Sequence, residues 1–309
     1  MSKLSLSRRS FVAGAAVAGV AAGSRPTICA FSKHFQWTDV RETAGLCAQL
    51  GYEGIDLTVR NGGHVLPERV EEDLPKAAEI IRGAGLELPM VTSGIVDAAS
   101  PHAEKILKTL AMLKIARYRW DGFHYRDTPS IPEQLAGFAA RVKDLAAMNR
   151  HYGVCAMYHT HSGVGYVGAS QWDLYLLLKD FDASAVAVNY DIGHATVEGG
   201  AGGWVASSRL LMPRIRGVAV KDFRWKQNLK GKWVPGWCAL GQGMVDFAAF
   251  LAMLKAARFA GPLQLHMEYP ELGGADSGKK QISISKDALL AIMRRDLDTL
   301  KQMLREAGM

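Results

Sequence analysis

Short apolar runs rich in β-branched residues alternate along the chain with longer segments whose apolar positions recur at helical spacing. The alternation begins at about Cys29, and no low-complexity linker interrupts it. Because each short run indicates a strand and each longer segment a crossover helix, the pattern predicts a parallel sheet. We predict eight strands near residues 30–36, 53–57, 88–92, 115–121, 153–159, 186–191, 215–221 and 262–268. We predict eight helices near residues 38–50, 67–84, 101–113, 131–151, 170–180, 203–212, 246–258 and 284–307.

Proline and glycine positions agree with these helix boundaries. Pro67, Pro101 and Pro132 fall in predicted first turns, whereas Gly51 and Gly153 follow predicted helix ends. Eight strand–helix units in one domain indicate a closed barrel, because an open doubly wound sheet usually has fewer. The Gly-x-Gly-x-x-Gly turn of dinucleotide-binding sheets is also missing after the first strand. We therefore predict an α/β fold, a single-domain (β/α)8 TIM barrel over residues 25–309.

The first 24 residues have the features of a targeting segment rather than of a barrel strand. Arg8 and Arg9 directly precede an apolar run that continues to about Ala22. The run is too short to span a bilayer comfortably and follows a basic start, which is typical of a cleaved export signal. The paired arginines predict a twin-arginine signal over residues 1–24, with the Tat translocase as a partner and a periplasmic or secreted location. An uncleaved membrane anchor is the alternative.

Composition narrows the class of protein. Hydrophobic residues make up 49% of the chain and charged residues 22%, which is ordinary for a soluble globular protein. The net charge of +7 comes without a Lys/Arg run interleaved with aromatic residues, so we expect no nucleic-acid partner. The four cysteines form no C-x-x-C motif, and a disulfide is permitted but not required. The oligomeric state stays open, a homo-oligomer included.

The segment 186–200 carries the clearest candidate chemistry. Asp191 ends a β-branched run, and His194 follows three residues later. Asn189 shares strand parity with Asp191, so both side chains are predicted to face the same side of the sheet. A strand end and its first turn can hold two ligands towards one small volume. The alternative is an aspartate that caps a helix and a histidine that packs against it.

Ionisable side chains also stand at or just beyond the ends of the other predicted strands. Apart from Asp191 and His194, they are His34, Asp56, Arg60, His64, Arg119, His124, His159, His161, Lys221, His266 and Glu268. Any one of them could be a satisfied core or rim group. Active sites of such barrels lie at the carboxyl ends of the strands, so their convergence predicts an active site there.

We assign expected roles to these groups. Imidazole and carboxylate ligands suit Mn, Zn or Co better than Ca. The expected metal ligands are His161, Asp191, His194, His266 and Glu268, with His159 as the alternative to His161 and with either His194 or His266 completing the set. The expected catalytic residues are His159, Lys221 and Glu268. The expected substrate-binding residues, which would contact hydroxyls or a carboxylate, are His34, Asp56, Arg60, His64, Arg119, His124 and Trp225. Trp225 lies in an insertion, residues 223–245, that is either a flap over the site or a packed structural loop.

Several motifs together resemble the xylose-isomerase-like barrel superfamily, that is, the sugar phosphate isomerase/epimerase proteins, with apurinic endonucleases as distant relatives. The matching motifs are Gly51-Tyr52-Glu53-Gly54-Ile55-Asp56-Leu57, Tyr158-His159-Thr160-His161-Ser162-Gly163, Asp191-Ile192-Gly193-His194, Val220-Lys221-Asp222, Gly241-Gln242-Gly243-Met244-Val245-Asp246-Phe247 and His266-Met267-Glu268-Tyr269. The resemblance implies the barrel fold and carbohydrate chemistry.

The resemblance also implies a metal centre, but the ligand set departs from the family pattern. Epimerases of this family hold a metal with a glutamate on strand five, an aspartate on strand six, a histidine on strand seven and a glutamate on strand eight. Asp191 and Glu268 carry over. Strand five ends in His159 without a glutamate, and Ala219 stands where the histidine would fall.

We therefore expect an exported sugar isomerase or epimerase that abstracts a proton next to a carbonyl, with a divalent metal and a small-molecule carbohydrate substrate. One alternative is a lyase or dehydratase acting by β-elimination on an oxidised sugar or glycoside, with His159, His161 or Lys221 as the base. Another is a sugar-binding barrel without catalysis. Phosphodiester cleavage of damaged DNA would need more metal ligands and a basic groove.

Overall fold

Parallel strands of residues 25–309, the part of the chain that the computed structural model describes, close into a barrel. The barrel strands are β1 (Thr27–Phe31), β2 (Gly54–Val59), β3 (Glu87–Ser93), β4 (Arg117–Trp120), β5 (Cys155–His159), β6 (Val186–Asp191), β7 (Ile215–Val220) and β10 (Pro262–Leu265). They pair in the order β1-β10-β7-β6-β5-β4-β3-β2. The predicted (β/α)8 barrel is confirmed. The predicted export signal, residues 1–24, lies outside the described residues.

Helices cover the outside of the barrel. They are α1 (Val40–Leu50), α2 (Val70–Gly83), α3 (Ala103–Met112), α4 (Ile131–Tyr152), α5 (Trp172–Leu178), α6 (Ile192–Gly199), α7 (Gly203–Leu211), α8 (Phe247–Ala256) and α9 (Lys286–Ala307). Local chemistry sets their ends: Ser130 and Glu133 form a capping box at the start of α4, and Gly153 ends it at a φ of 66°. Among residues 25–309, no helix has both the length and the apolar character needed to cross a membrane.

Two barrel strands end several residues earlier than the sequence predicts. β1 stops at Phe31 instead of residue 36 and continues as a 3₁₀ turn, and β10 stops at Leu265 instead of residue 268. Side chains replace the strand ladder there: the Ser32 hydroxyl accepts a hydrogen bond from the Thr58 N–H, 2.8 Å away. His34 and Glu268 therefore lie beyond the strands, where the chain can turn them independently of strand parity.

The region after β6 contains a helix that the sequence pattern does not predict. α6 begins directly after Asp191, although glycine at position 193 disfavours helix. Glycine is required at that position by the fit to β7, because a Cβ on Gly193 would lie 2.8 Å from Lys221 Cγ. Tertiary packing thus overrides helix propensity. The helix predicted over 203–212 is present as α7.

The insertion after β7 is an antiparallel hairpin of β8 (Asp222–Gln227) and β9 (Trp233–Cys238). Both carboxylate oxygens of Asp222 accept backbone hydrogen bonds, among them one from Gly241 at 3.0 Å and one from Gly243 at 2.8 Å. The aspartate therefore ties the base of the hairpin to the loop that follows β9.

Side chains fill the barrel interior and form the floor of the site. Met90, Cys155, Met157 and Ala187 make one buried cluster. On the adjacent strand, a Cβ on Gly217 would lie 3.0 Å from the Met157 sulfur, so the missing side chain makes room for methionine. The interior below the strand ends is therefore packed rather than open.

Candidate active site

The carboxyl ends of the strands bring ionisable side chains together, as predicted. His159 ends β5, Asp191 ends β6, and Lys221 directly follows β7. The register pairs His159 with Asn189, which places His159 and Asp191 on adjacent strands. His159, Asp191 and Lys221 are all less than 10% exposed. The barrel thus holds them in a nearly dry volume where electrostatic interactions are strong.

The Lys221 ammonium is the centre of this volume. Its Nζ donates to Glu268 Oε2 at 2.7 Å and to His194 Nε2 at 2.7 Å, and it lies 3.1 Å from Asp191 Oδ2. The Trp237 ring covers it, with Nζ 4.5 Å from the ring centroid. The ammonium thus donates to one carboxylate and one imidazole and lies beside a second carboxylate, which fixes its position.

Glu268 is shared between two lysines. Lys33 Nζ lies 2.5 Å from Oε1, and Lys221 Nζ lies 2.7 Å from Oε2. Burial alone would raise the pKa of Glu268, but the charges of Lys221 and Lys33 outweigh burial and hold the pKa well below its usual range. The carboxylate is therefore ionised and serves as the counter-ion of both ammonium groups.

The contacts of His194 define its tautomer. Because the Lys221 ammonium can only donate, Nε2 must be the acceptor, and the proton lies on Nδ1, which donates to Ser162 Oγ at 2.6 Å. Burial, followed by the Lys221 charge, lowers the pKa of His194 well below its usual value. Asp191 Oδ1 accepts from the His194 N–H at 2.9 Å and so also caps α6.

Three buried side chains form a group that could hold a metal ion: His159, Asp191 and His266, whose ligand atoms lie within 4.8 Å of one another. His159 Nε2 lies 3.8 Å from Asp191 Oδ2. Both ring nitrogens of His266 are buried without a hydrogen-bond partner among the described residues. Such a ring is costly unless a cation or water satisfies it, so these residues fit a divalent ion.

The remaining expected metal ligands have other partners. Glu268 and His194 are engaged by Lys221, as described above. His161 Nδ1 lies 2.7 Å from the Ser162 carbonyl oxygen, and its ring stacks on Tyr166 at 4.4 Å. Burial lowers the pKa of His161. The neutral ring therefore donates from Nδ1, which leaves the lone pair on Nε2.

Two of the expected substrate-binding histidines, His34 and His64, make hydrogen bonds within the fold. In His34, Nε2 accepts from the Met267 N–H at 3.0 Å and Nδ1 lies 3.1 Å from the Ala275 carbonyl oxygen. His64 contacts the hydroxyls of Thr58 and Thr43 at 3.3 and 3.2 Å. Both rings therefore hold the fold together.

The expected substrate-binding residues at the rim are more accessible. His124 is exposed and lies 4.3 Å from the Tyr166 ring, centroid to centroid. Trp225 is 42% exposed on β8 of the hairpin. Both side chains border the mouth of the barrel and leave their rings open to solvent.

The opposite wall of the barrel mouth contains Asp56, Arg60 and Arg119. The Thr92 hydroxyl lies 3.0 and 2.8 Å from the two carboxyl oxygens of Asp56. Burial raises the pKa of Asp56 to about 7, against the lowering effects of Thr92 and Arg119. The two guanidinium groups lie over the Phe31 ring, at 5.9 and 6.0 Å from its centroid.

Sequence reasoning missed Lys33 and Ser162 as parts of the site. Lys33 lies beyond β1, where the 3₁₀ turn at Ser32–Phe35 brings its side chain to Glu268. A lysine two residues after the apolar run Cys29-Ala30-Phe31 is an available signal, because lysine is rarely buried without a partner.

Comparisons with known proteins agree with this architecture. The sequence profile of a family described as "Xylose isomerase-like TIM barrel" matches residues 44–303. Among solved structures, a D-tagatose 3-epimerase-like protein superposes with a TM-score of 0.68 at 14% identity, covering 91% of this chain and 98% of that one.

Two further solved structures are similar. The 3-keto-D-glucoside 4-epimerase YcjR from E. coli has a TM-score of 0.64 at 12% identity, covering 90% of this chain and 100% of that one. A xylose isomerase-like TIM barrel protein from Mycobacterium smegmatis, in complex with magnesium, has a TM-score of 0.63 at 13% identity, covering 91% and 97%. No curated protein matches the chain. At these identities the structures establish the fold.

Proposed function

Because the chain belongs to the xylose isomerase-like TIM barrel family, we propose that it is a sugar isomerase or epimerase that removes a proton next to the carbonyl of a sugar or keto-sugar. The observation that carries the proposal is the buried Lys221 ammonium, fixed by Glu268, Asp191 and His194 at the carboxyl ends of the strands. Structures similar to this chain include enzymes named as sugar 3-epimerases and a 3-keto-glucoside 4-epimerase, which supports this reaction class.

In the proposed reaction Lys221 stabilises the oxygen that becomes negative. A base removes the proton from the carbon next to the carbonyl, and the C–H electron pair moves towards the carbonyl oxygen to give an enediolate. A fixed ammonium in a dry site stabilises such an oxyanion without reorganisation. Return of the proton to the same carbon from the other face epimerises the sugar, and return to the neighbouring carbon isomerises it.

Two histidines are candidate bases. His161 is neutral, and its Nδ1–H donates to the Ser162 carbonyl, so Nε2 can accept a proton. His159 has its pKa lowered well below the usual value, by burial first and by Arg119 next, and is also neutral. Its Nε2 and Lys221 Nζ flank the same oxygen, Asp191 Oδ2, at 3.8 and 3.1 Å. Base and oxyanion stabiliser would thus border one small volume.

We propose further that His159, Asp191 and His266 bind one divalent ion, Mn, Zn or Co. Both ring nitrogens of His266 are unsatisfied, which supports the assignment. A Lewis acid held there would polarise the substrate carbonyl. With His159 engaged as a ligand, proton abstraction falls to His161; in an enzyme that works without the ion, it falls to His159.

Elemental analysis of the purified protein tests whether a divalent ion is bound. We expect about one equivalent of Mn, Zn or Co in the wild type, lost in Asp191→Ala and in His266→Asn because each removes one of three ligands. His124→Asn, at the exposed rim, is the control and should retain the ion. A wild type that binds none of the three ions at micromolar concentration would overturn the metal proposal and assign the base to His159.

Exchange of substrate C–H protons for deuterium, followed by NMR in D₂O with a panel of keto-sugars, tests the reaction. Lys221→Met should slow exchange about 100-fold or more, in the range seen when one oxyanion donor is removed. Lys226→Met, a surface lysine on β8, is the matched control. A folded Lys221→Met protein that exchanges within about threefold of wild type would contradict the role of Lys221.

Lys221→Met alone leaves the buried carboxylates short of one counter-ion. The double variant Lys221→Met/Glu268→Gln therefore provides a second test. Removing both charges leaves the net charge of the site unchanged, and exchange should still be lost. If no sugar exchanges protons in the wild type but sugars bind, the chain is a sugar-binding barrel rather than an enzyme.

A lyase is the second candidate, since β-elimination begins with the same proton abstraction. The two guanidinium groups of Arg60 and Arg119 favour an oxidised, acidic sugar over a neutral one. Formation of an unsaturated product would distinguish elimination from epimerisation.

We also propose that the enzyme is exported. The paired Arg8 and Arg9 and the apolar run after them support this location.

A further inference from the structure

Two arginines from different strands converge on one aromatic ring. Arg60 directly follows β2, and Arg119 lies on β4. Their guanidinium carbons are 5.9 and 6.0 Å from the Phe31 ring centroid. The interaction of a cation with an aromatic face stabilises each charge modestly but leaves it unneutralised. The two positive charges are near enough for Arg119 to lower the pKa of Arg60.

Neither guanidinium has a counter-ion among residues 25–309. No carboxylate oxygen of this part of the chain lies within 4.0 Å of either group. Arg119 Nε is buried without a hydrogen-bond partner. Burial, followed by the charge of Arg119, lowers the pKa of Arg60. A fold that needed these arginines only for stability would be expected to pair them.

Three acids lie near enough to act on the charge of Arg60: Asp56, Asp121 and Glu268. None of them forms an ion pair with it, and Asp121 is exposed to solvent. Asp56 is bound through both oxygens by Thr92. Glu268 is shared by Lys33 and Lys221, and it is the counter-ion of both. Protein carboxylates therefore do not supply the anion that two adjacent guanidinium groups would bind.

The arginine pair borders the proposed reaction centre. The Phe31 ring beneath the pair stacks on His266, with ring centroids 4.4 Å apart. His266 in turn belongs to the group that includes His159 and Asp191. A single sugar molecule could therefore contact both the reaction centre and the arginine pair.

We propose that Arg60 and Arg119 together bind one anionic group of the substrate, so that the substrate is an acidic sugar that carries a carboxylate or a phosphate. This inference rests on the proposed function and specifies its substrate class. Guanidinium groups bind both oxyanions through paired N–H donors. Removal of either arginine should weaken binding of the acidic sugar and spare binding of its neutral parent.

Titration calorimetry with glucuronate, gluconate, glucose 6-phosphate and glucose tests the proposal. We expect at least one acidic sugar to bind the wild type about tenfold or more tightly than glucose, and to bind more weakly as salt is added. If glucuronate or gluconate binds more tightly than glucose 6-phosphate, the anionic group of the substrate is a carboxylate. The reverse order indicates a phosphate. Equal affinity for acidic and neutral sugars, or no binding of any acidic probe, would overturn the proposal.

Substitution of each arginine tests whether Arg60 and Arg119 bind the anionic group of the sugar. Arg60→Gln and Arg119→Gln should each reduce affinity for the acidic sugar about tenfold and leave glucose affinity unchanged. Both should fold, because each removes a charge without an ion-pair partner. Arg117→Gln, on the same strand and parity as Arg119 but at the opposite end of the barrel, is the matched control. Unchanged affinity in both arginine variants would refute the assignment.

The experiment separates this inference from the proposed function. Selective binding of an acidic sugar without proton exchange would overturn the isomerase proposal and leave the anion site intact. Proton exchange on neutral keto-sugars, with no preference for an acidic sugar, would leave the isomerase proposal intact and refute the anion site.

Discussion

A single buried histidine, His34, connects the segment after the first barrel strand to the segment after the last one. His34 bonds the Met267 N–H through Nε2 and the Ala275 carbonyl through Nδ1. Burial lowers the pKa of His34 to about 3. The folded state therefore excludes a proton that the unfolded chain takes up below its usual pKa of about 6.5. The contribution of His34 to stability is complete above pH 6.5 and is lost as the pH falls towards 3.

This linkage predicts a pH dependence that a single substitution removes. Between pH 6.5 and pH 5, His34 should cost the wild type about 2 kcal/mol of unfolding free energy, at about 1.4 kcal/mol per pH unit. His34→Gln cannot titrate, so its unfolding free energy should fall by that much less over the same interval. Urea unfolding at both pH values measures the difference. Parallel losses in the two proteins would show that His34 is protonated in the folded state.

Residue types at strand ends could be predicted from the sequence, but their partners could not. Parity correctly placed His159 and Asp191 at the barrel mouth. The expected metal ligands instead form two groups. Lys221 bonds Glu268 and His194, whereas His266 belongs with His159 and Asp191 to the candidate metal site. Distances of 3 to 4 Å between side chains depend on turns after the strands, and strand periodicity does not specify those turns.

At the scale of elements, the hairpin after β7 closes one side of the site. Trp237 on β9 lies over Lys221 and, with a centroid distance of 4.8 Å, beside His194. Phe223 contacts both Trp225 and Trp237 on the same face of the hairpin. The hairpin therefore forms a wall of the site.

Trp237→Ala should slow the proposed reaction about tenfold, because water would reach Lys221 and weaken its interaction with a developing oxyanion. The proton-exchange assay measures the effect. Trp233→Ala is the matched control: Trp233 shares strand and parity with Trp237 but is 62% exposed at the far end of the hairpin. Equal rates in the two variants would contradict a role for Trp237 in covering the site.

Element order was predictable because hydrophobic period separates strands from helices. Element ends were not, because tertiary contacts determine them. The chain turns after Phe31 once Ser32 and His34 supply hydrogen bonds in place of the ladder. The apolar run ends at Phe31, but polar residues also stand at the ends of other barrel strands, so Ser32-Lys33-His34 gives no sign of that turn.

At the scale of the whole molecule, the eight-strand closure was predictable from the number of repeating units. The location of the site followed from the fold, since barrels of this kind place active sites at the carboxyl ends of their strands. The arginine pair around Phe31 was not predictable as a pair, because Arg60 and Arg119 come from β2 and β4 neighbourhoods 59 positions apart in the chain.

Closure of the barrel also determines when a newly made chain can acquire its reaction centre. β1 pairs with β10, and Lys33 meets Glu268 across 235 positions of sequence. A ribosome releases the N-terminal strand early, so that strand must wait for nearly the whole barrel to be synthesised before it finds its neighbour. During this interval Lys33, Lys221 and the unpaired edge of β1 stay exposed on a partly folded chain. The reaction centre is therefore among the last parts of the protein to form during biosynthesis.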